Sequence, residues 1–480
     1  MHRIYAWAGP LLLVLCAACL TKQVLIRPAV GIANNGDFAK LAGPFGLGPE
    51  EGTWESHVPY GEFVYRYIRA LRFEYDRDFS NAQFFGFEYF FLKISRGLQR
   101  IFRPGPRFDI RWLGGVNSAF YLLAIGVWIY ALPARWRFLA GLPLIFIWTD
   151  VAYVQYMNSF YMDTAALICL ILFVGAGLHL RKKPDSRALV AVMVLAAVSF
   201  TVSKSQHAIP ALFFIPLFLW LAFSTRDRAR RTAWIAGSLL VLGGSTFMLG
   251  RFPALYRSQP LYTLIFFRLA PETPDPLQTL QELGLAKSDL PYLHTHAFSR
   301  NSGLNDPEWA LQFAARCTYP KLLLYYLRHP SMAARLIYEN LSDSAARIVP
   351  FANRALEDGF FPGARSPHFA RWSDFRSDLL QRAPWHAVVF AFLVLAAGVW
   401  VLVSSPADRL FAALALVVEI IALCEYGISV LADAAETDRH LFLFHAATDI
   451  SILLFPALIY KVWAHVGPVG NRQQDAILPH

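Results

Sequence analysis

The chain has 480 residues, 56% of them hydrophobic and only 16% charged, with 44 Lys and Arg against 34 Asp and Glu. Its apolar residues come in long uninterrupted runs, which excludes an ordinary water-soluble globular domain and points to a polytopic membrane protein. The formal charge of +10 resides mostly in short loops between the runs and in interfacial arginines, so it is no signal for nucleic acid.

In chain order the runs cover 5–20, 112–131, 137–156, 163–180, 188–203, 207–223, 232–250, 385–403, 409–431 and 441–461. Each is near the ~20 residues that a helix needs to cross ~30 Å of hydrocarbon. Backbone polar groups have no water partner in lipid, so the expected fold is all-α, a polytopic membrane protein of about 10 transmembrane helices. The first helix is expected to stay uncleaved. Arg135 and Arg137, then Arg181, Lys182, Lys183 and Arg187, then Arg226, Arg228, Arg230 and Arg231, then Arg409, all fall on one side of this array. The opposite short turns hold only Lys204 and Arg439. That asymmetry predicts cytoplasmic termini and basic loops.

The patch 82–94 is too short to span and contains Glu88 and Lys93; it predicts a helix lying in the outer interface. Two segments then project outward, 21–111 and 251–384. The expected organisation is an N-terminal transmembrane module over 1–250, an extracytoplasmic helical segment over 251–384 and C-terminal transmembrane helices over 385–480. Helices are expected near 276–285, 307–316, 319–328 and 331–346. The aromatics Phe45, Trp54, Tyr60, Phe63, Tyr65 and Tyr67, with Phe84, Phe85, Phe87, Tyr89, Phe90 and Phe91, suggest interfacial faces that wall a lipid entry slot. Trp54, Glu55 and His57 are candidate sugar contacts. The five Cys form no disulfide framework, since four lie in spans. His294 and His296 read as loop residues and not as a metal pair. The Asn340 sequon carries little weight.

Ionisable residues near spans are the informative ones, because each costs several kcal/mol unless paired, hydrated or functional. They gather at the outer ends. Asp37 follows the turn-prone Asn34-Asn35-Gly36, Asp150 closes the third span and Asp163 opens the fourth. Lys204, Gln206 and His207 occupy one outer turn; Glu419, Glu425, Asp433, Glu436, Asp438, Arg439, His440, His445 and Asp449 run through the last two spans and their connection. Structural roles compete at each position: a helix N-cap or turn for Asp37, dipole compensation for Asp163, snorkelling for Lys204, a solvated cluster for Arg439 and His440, and structural pairing for Asp150 and Glu419. Together these groups suit a reaction on a lipid-linked phosphate, with Lys204, Arg439 and His440 stabilising the leaving group and Asp37 taking a proton from an attacking hydroxyl.

The order of features, with "NNGDFAK", "NSFYMDTAAL" and "VSKSQHA", resembles the C-type (GT-C) superfamily of integral membrane glycosyltransferases that use polyprenyl-phosphate sugars. Within it, "NNGDF", "MNSFYMD", "YYLRHP" and "DRHLFLF" are similar to WsfD-like bacterial hexosyltransferases of glycan biosynthesis. The resemblance implies a GT-C-like fold in the bacterial inner membrane and transfer of a sugar, usually with inversion, to a glycan, lipid or protein acceptor outside the cytoplasm. It implies Asp37 as base, Asp163 as a second acidic residue, and donor-phosphate contacts from Lys204, Gln206, His207, Arg439 and His440. Some members hold a divalent cation between acidic residues and others none, so Mg²⁺ or Mn²⁺ stays open. The sequence departs from the aminoarabinose and mannosyl relatives in having Ser205-Gln206 where they have Gly-Pro, and in its single acidic residue after Gly36. A transporter or flippase, and an O-antigen ligase or polymerase, are the alternative readings; no internal repeat of the kind many transporters show is visible.

Overall fold

The structure, a computed structural model, describes residues 2–49, 62–69, 84–251, 254–343, 352–433 and 437–466. The first helix, α1 (His2–Val24), ends where the Asn158 amide donates to Val24 O and Val30 O, both at 2.8 Å. This ties the start of the first projecting segment to the bundle.

That segment contains α2 (Phe38–Ala42), β1 (Leu47–Pro49), β2 (Arg66–Arg69), α3 (Glu88–Phe102) and β3 (Arg107–Asp109). The strands form an antiparallel sheet in the order β1-β2-β3, with Leu47 opposite Arg69 and Tyr67 opposite Phe108. The sequence reading contains no strands here, because strands of three or four residues are too short for alternation to register. α3 is the expected non-spanning helix. Its buried face carries Phe91, Leu92 and Gln99, while Phe90, Ile101 and Phe102 are exposed.

Five of the ten described aromatics expected at a lipid surface are instead core. Phe63, Tyr65, Tyr67, Phe84 and Phe91 are buried, and Tyr67 meets Phe160 edge-on at 4.8 Å; Phe85 and Phe90 keep exposed faces. Tyr67 on β2 also packs against Phe38, Phe63 packs against Tyr65, and Phe91 packs against Phe120. Trp54, Glu55, His57 and Tyr60 lie outside the described residues.

Eight described helices are long and apolar enough to cross a membrane. They comprise α1, α4 (Arg111–Ala131), α7 (Asp163–Lys182), the segment Ser205–Ser224 ending in α9 (Phe214–Ser224), α10 (Arg228–Gly250), α17 (Trp385–Ser404), α18 (Arg409–Ile428) with its continuation to Asp433, and α20 (Phe442–Val466). The third predicted span is bent by 54° between α5 (Arg137–Trp148) and a short pair of helices that begins with α6 (Val151–Val154) and ends at Asn158. Asp150 makes the break: it caps α6 by accepting from Ala152 N at 2.9 Å. The fifth, α8 (Arg187–Thr201), has 15 residues. It nevertheless returns the chain through the full depth of α7, because Lys204 beyond its end reaches Asp163 at the start of α7 at 3.0 Å.

The two ends of this bundle differ in chemistry. At the basic end Arg181 meets Asp408 at 2.6 Å, Lys461 meets Asp408 at 3.1 Å and Arg187 meets Asp227 at 2.9 Å. At the opposite end stand Asp37, Asp163, Lys204 and Arg439.

Between α10 and α17 come α11 (Ala254–Tyr262), α12 (Pro276–Glu282), α13 (Pro307–Arg316), α14 (Tyr319–Arg328), α15 (Pro330–Asp343) and α16 (Arg371–Arg382). The four expected helices match α12 to α15, with α13 and α14 at the predicted bounds, where Pro at N1 or N2 sharpens each start. Tyr262, Phe266, Tyr292, Trp309 and Phe313 form a local aromatic core. α16 is latched to the bundle: Asp150 accepts from Trp372 N and Ser373 N at 3.0 Å, and Asp449 accepts from Arg376 and Trp372 Nε1 at 2.7 Å and from the Tyr153 hydroxyl. Tyr326 and Tyr426 add hydroxyl-to-carbonyl bonds between the segment and α18.

Candidate functional site

The site begins with a turn. The Asn34 side chain accepts from Gly36 N at 2.8 Å and from Phe38 N at 3.1 Å, and Asn35 accepts from Asp37 N at 3.2 Å. Gly36 has φ +107°, a backbone conformation that side-chain-bearing residues avoid. Asp37 occupies the N-cap position of α2, yet its side chain makes no capping bond. Asn34 orders the turn, and the absence of a capping bond removes the N-cap explanation of Asp37 and leaves its carboxylate for other partners.

Those partners come from two directions. Lys40, one turn along α2, meets Asp37 Oδ1 at 2.5 Å, and Arg439 from α19 (Thr437–His440) meets Oδ2 at 2.9 Å. Arg439 lies over the Tyr161 ring at 5.0 Å, and the Tyr161 hydroxyl donates to Asn35 Oδ1 at 2.8 Å, closing a loop of contacts. Burial by itself would raise the Asp37 carboxyl, but the charges of Lys40, Arg439 and, further off, Lys204 hold it well below the usual carboxylate range.

Asp163 stands beside this group. Lys204 donates to both its oxygens at 3.0 and 3.2 Å, and His207 Nε2 faces Oδ1 at 3.6 Å. The other ring nitrogen, Nδ1, contacts Glu425 Oε1 at 2.6 Å, so His207 is buried between two carboxylates. Gln206 donates to Glu425 Oε2 at 3.0 Å, to Ser429 Oγ at 3.1 Å and to His440 O at 3.2 Å. His440 meets Asp433 at 2.5 Å and Arg439 at 2.8 Å. Gly86 lets the chain entering α3 approach this turn: a Cβ there would lie 2.5 Å from Ser203 O and from Met162 Sδ.

Each predicted site residue therefore enters one connected cluster, but in different positions. Asp37, Asp163, Lys204 and Arg439 form its charged centre; three cations, Lys40, Lys204 and Arg439, face the two carboxylates Asp37 and Asp163. Gln206 and His207 bond to Glu425 behind that centre, and His440 braces Arg439. Lys40 and Tyr161 are participants that the sequence reading did not assign. Lys40 was detectable as the i+3 neighbour of Asp37 on a helix; Tyr161 had no comparable signal.

Other members of the predicted constellation go elsewhere. Asp449 belongs to the α16 latch, as does Asp150, and Glu419 is buried within α18. Glu436 and the Asp438 side chain lie outside the described residues. Asn340 is buried and donates to Leu336 O, so its sequon is inaccessible in the folded chain. Among the described residues no group of three or more His, Cys, Asp and Glu is arranged to hold a metal ion. The donor set agrees: both oxygens of Asp37 and both of Asp163 already face cations. These carboxylates do not fit a divalent cation in this arrangement.

Three solved structures of an oligosaccharyltransferase from the archaeon Archaeoglobus fulgidus are similar in shape. The apo form shares 13% identity and a TM-score of 0.40, covering 98% of this chain and 52% of that one. The complex of the archaeal enzyme AglB with an inhibitory peptide and a dolichol-phosphate gives 13%, 0.38, 98% and 52%. The form tethered to an acceptor peptide gives 13%, 0.40, 95% and 50%. The chain thus spans about half the length of these relatives in structure, and superpositions this loose assign no residue correspondence. No curated protein matches it in sequence. A family model matches residues 2–474, nearly the whole chain and all of its apolar helices. The chain, a multi-pass membrane protein, belongs to the YfdI N-terminal transmembrane domain family.

Proposed function

We propose that the protein is a GT-C-type membrane glycosyltransferase that moves a hexose from a polyprenyl-phosphate donor to a glycan, lipid or protein acceptor. The proposed setting is the bacterial inner membrane, with both termini and the basic loops in the cytoplasm and the Asp37 cluster on the extracytoplasmic face. The observation that carries this reading is the convergence of Asp37, Lys40, Asp163, Lys204 and Arg439 from four separate chain segments at one end of the bundle. The segment over 251–384 would then cover the site and help select the acceptor.

The acceptor hydroxyl attacks the anomeric carbon while the bond from that carbon to the phosphate oxygen breaks. A single displacement of this kind inverts the anomeric configuration. The electron pair goes to the phosphate, which leaves as polyprenyl phosphate with one more negative charge. Lys204 and Arg439 stabilise that charge. The arriving phosphate competes with Asp37 for Arg439, so donor binding frees one carboxylate oxygen and strengthens it as the base that takes the acceptor proton. Asp163 holds Lys204 in place through both oxygens. The loss of Arg439 from Asp37 is thus coupled to the step that needs it.

The test is complementation of a deletion strain, read by mass spectrometry of surface glycans. Native protein restores the missing sugar; Asp37→Asn and Lys204→Ala insert and fold but restore none, a loss of at least ~10²-fold for the base alone. Restoration by Asp37→Asn at native level would end this reading.

A further inference from the structure

One guanidinium group holds two basic atoms. Arg439 Nη1 lies 2.9 Å from Asp37 Oδ2, and its Nη2 lies 2.8 Å from His440 Nε2. A guanidinium nitrogen donates hydrogen bonds and accepts none, so His440 Nε2 is the acceptor of this bond and carries no proton. The ring proton is then on Nδ1, which faces Asp433 Oδ2 at 2.5 Å. His440 is therefore a neutral imidazole of fixed tautomer, backed by a carboxylate, with its lone pair on Arg439.

The surroundings hold the residue in that pose. Its carbonyl oxygen accepts from Gln206 Nε2 at 3.2 Å and from Ser429 Oγ at 3.0 Å, which joins it to the turn after α8 and to the continuation of α18. The charged groups that touch the ring among the described residues are Asp433 and Arg439. Behind them Lys204 pairs with Asp163, and His207 lies between Asp163 and Glu425. The His440 and Asp433 side chains are 13% and 19% exposed, so the pair is largely enclosed but keeps a small face toward water.

Sugar transfer releases a proton in the same step that creates a negative charge. Forming the glycosidic bond removes the hydroxyl proton of the acceptor, and breaking the bond to phosphate leaves one more negative charge on polyprenyl phosphate. Asp37 is suited to receive that proton but not to keep it. Lys40 stays on Oδ1 at 2.5 Å, and its charge favours the ionised carboxylate. When Arg439 turns to the phosphate, Asp37 Oδ2 and His440 Nε2 lose their shared partner together and face the space it leaves. Imidazole is the side chain that exchanges a proton in the neutral range, and its lone pair is then open.

We propose that His440 stores the acceptor proton during transfer. The proton passes from the acceptor hydroxyl to Asp37 Oδ2 and from there to His440 Nε2. The imidazolium keeps its Nδ1–H on Asp433, whose carboxylate balances the new charge. Arg439 cannot return to Nε2 meanwhile, since two N–H donors would meet there, and so it stays on the phosphate. His440 gives the proton to water as polyprenyl phosphate departs. This role presupposes that the cluster holds a donor phosphate.

The test is isothermal titration calorimetry of the full chain in detergent with farnesyl phosphate, a soluble prenyl phosphate in place of the leaving product. Runs near neutral pH in two buffers of different protonation enthalpy count the protons taken up per probe bound, and the probe's own titration is common to every variant. His440→Gln keeps an acceptor for Arg439 but cannot take a proton; Asp433→Asn keeps the ring and removes its counter-charge. Native protein is expected to take up roughly half a proton or more per bound probe beyond either variant. Native-level uptake in either variant overturns the inference and leaves the donor site standing. Loss of binding in both variants assigns the pair to holding phosphate and overturns proton storage. Absence of saturable farnesyl phosphate binding by native protein overturns the donor-site reading, and the inference with it.

Discussion

Asp37 owes its availability to its neighbours. Asn34 orders the turn before α2 by accepting from Gly36 N and Phe38 N, and the Asp37 carboxylate, which makes no capping bond, collects Lys40 and Arg439. Glu425 plays a comparable supporting part on the other side: it receives His207 Nδ1 and the Gln206 amide, and so joins the turn that carries Lys204 to the helix that precedes Arg439. Its charge touches neither Lys204 nor Arg439 directly in any described contact, which makes it a positioning residue. Glu425→Gln is expected to lower transfer by on the order of 10²-fold through misplacement of the two cations. Glu425→Asp, which keeps the charge, should recover more activity than Gln if charge opposite His207 matters. Steady-state rates for both variants in membranes check this, and an unaltered rate in Glu425→Gln would remove the residue from the site.

At the scale of elements, α3 and α16 are the two helices whose attachment depends on buried ionisable groups. Glu88 at the start of α3 is fully buried and accepts from Asn117 Nδ2 at 2.8 Å; its second oxygen has no hydrogen-bond partner among the described residues. Burial pushes its carboxyl up to about 8, with the Asn117 bond opposing the rise and Asp163 adding to it. The folded chain therefore keeps a proton that the unfolded chain releases above its ordinary value of ~4.3, so stability falls as pH rises from there and levels off above about 8. Thermal unfolding of native protein should drop between pH 5.5 and 8.5, while Glu88→Gln shows a smaller drop; parallel curves would refute the assignment. For α16 the decisive pair is Arg376 with Asp449, both buried. Asp449→Ala leaves the guanidinium without its counter-charge and is expected to cost about 3–5 kcal/mol, whereas Asp449→Asn keeps an acceptor and should cost less. Differential scanning of both variants measures the difference.

For the whole molecule, the two chemically distinct ends make sidedness testable without any substrate. Single cysteines placed in a Cys-free background at Asp185, whose side chain is 86% exposed in a basic-end loop, and at Phe298, 75% exposed in the 254–384 region, should be labelled from opposite sides of the membrane. A membrane-impermeant maleimide applied to intact cells is expected to reach position 298 and not position 185. Labelling of both from one side would invert or collapse the proposed topology. The same division explains why the cluster sits where it does. Charges are paired at both ends, with Arg181, Asp408 and Lys461 matched at one end and Asp37, Asp163, Lys204 and Arg439 at the other, while Glu419 is buried midway along α18.

What the sequence by itself determined was the membrane class, most of the helices and the level at which charged residues gather. Those follow from hydrophobic run length and charge bias, which act locally and carry a strong signal. It also identified Asp37, Asp163, Lys204 and Arg439 as a set, because unpaired charges at span ends are costly enough to need a common reason. Only the tertiary structure decided how they pair. Arg439 with Asp37 and Lys204 with Asp163 are contacts between segments distant in sequence, and no periodicity encodes them. The same holds for the sheet β1-β2-β3, the burial of Phe63, Tyr65, Tyr67, Phe84 and Phe91 and the separation of Asp449 from the cluster. Three-residue strands and rings on a two-sided segment have no pattern of their own, so their placement is set by the surfaces that meet them.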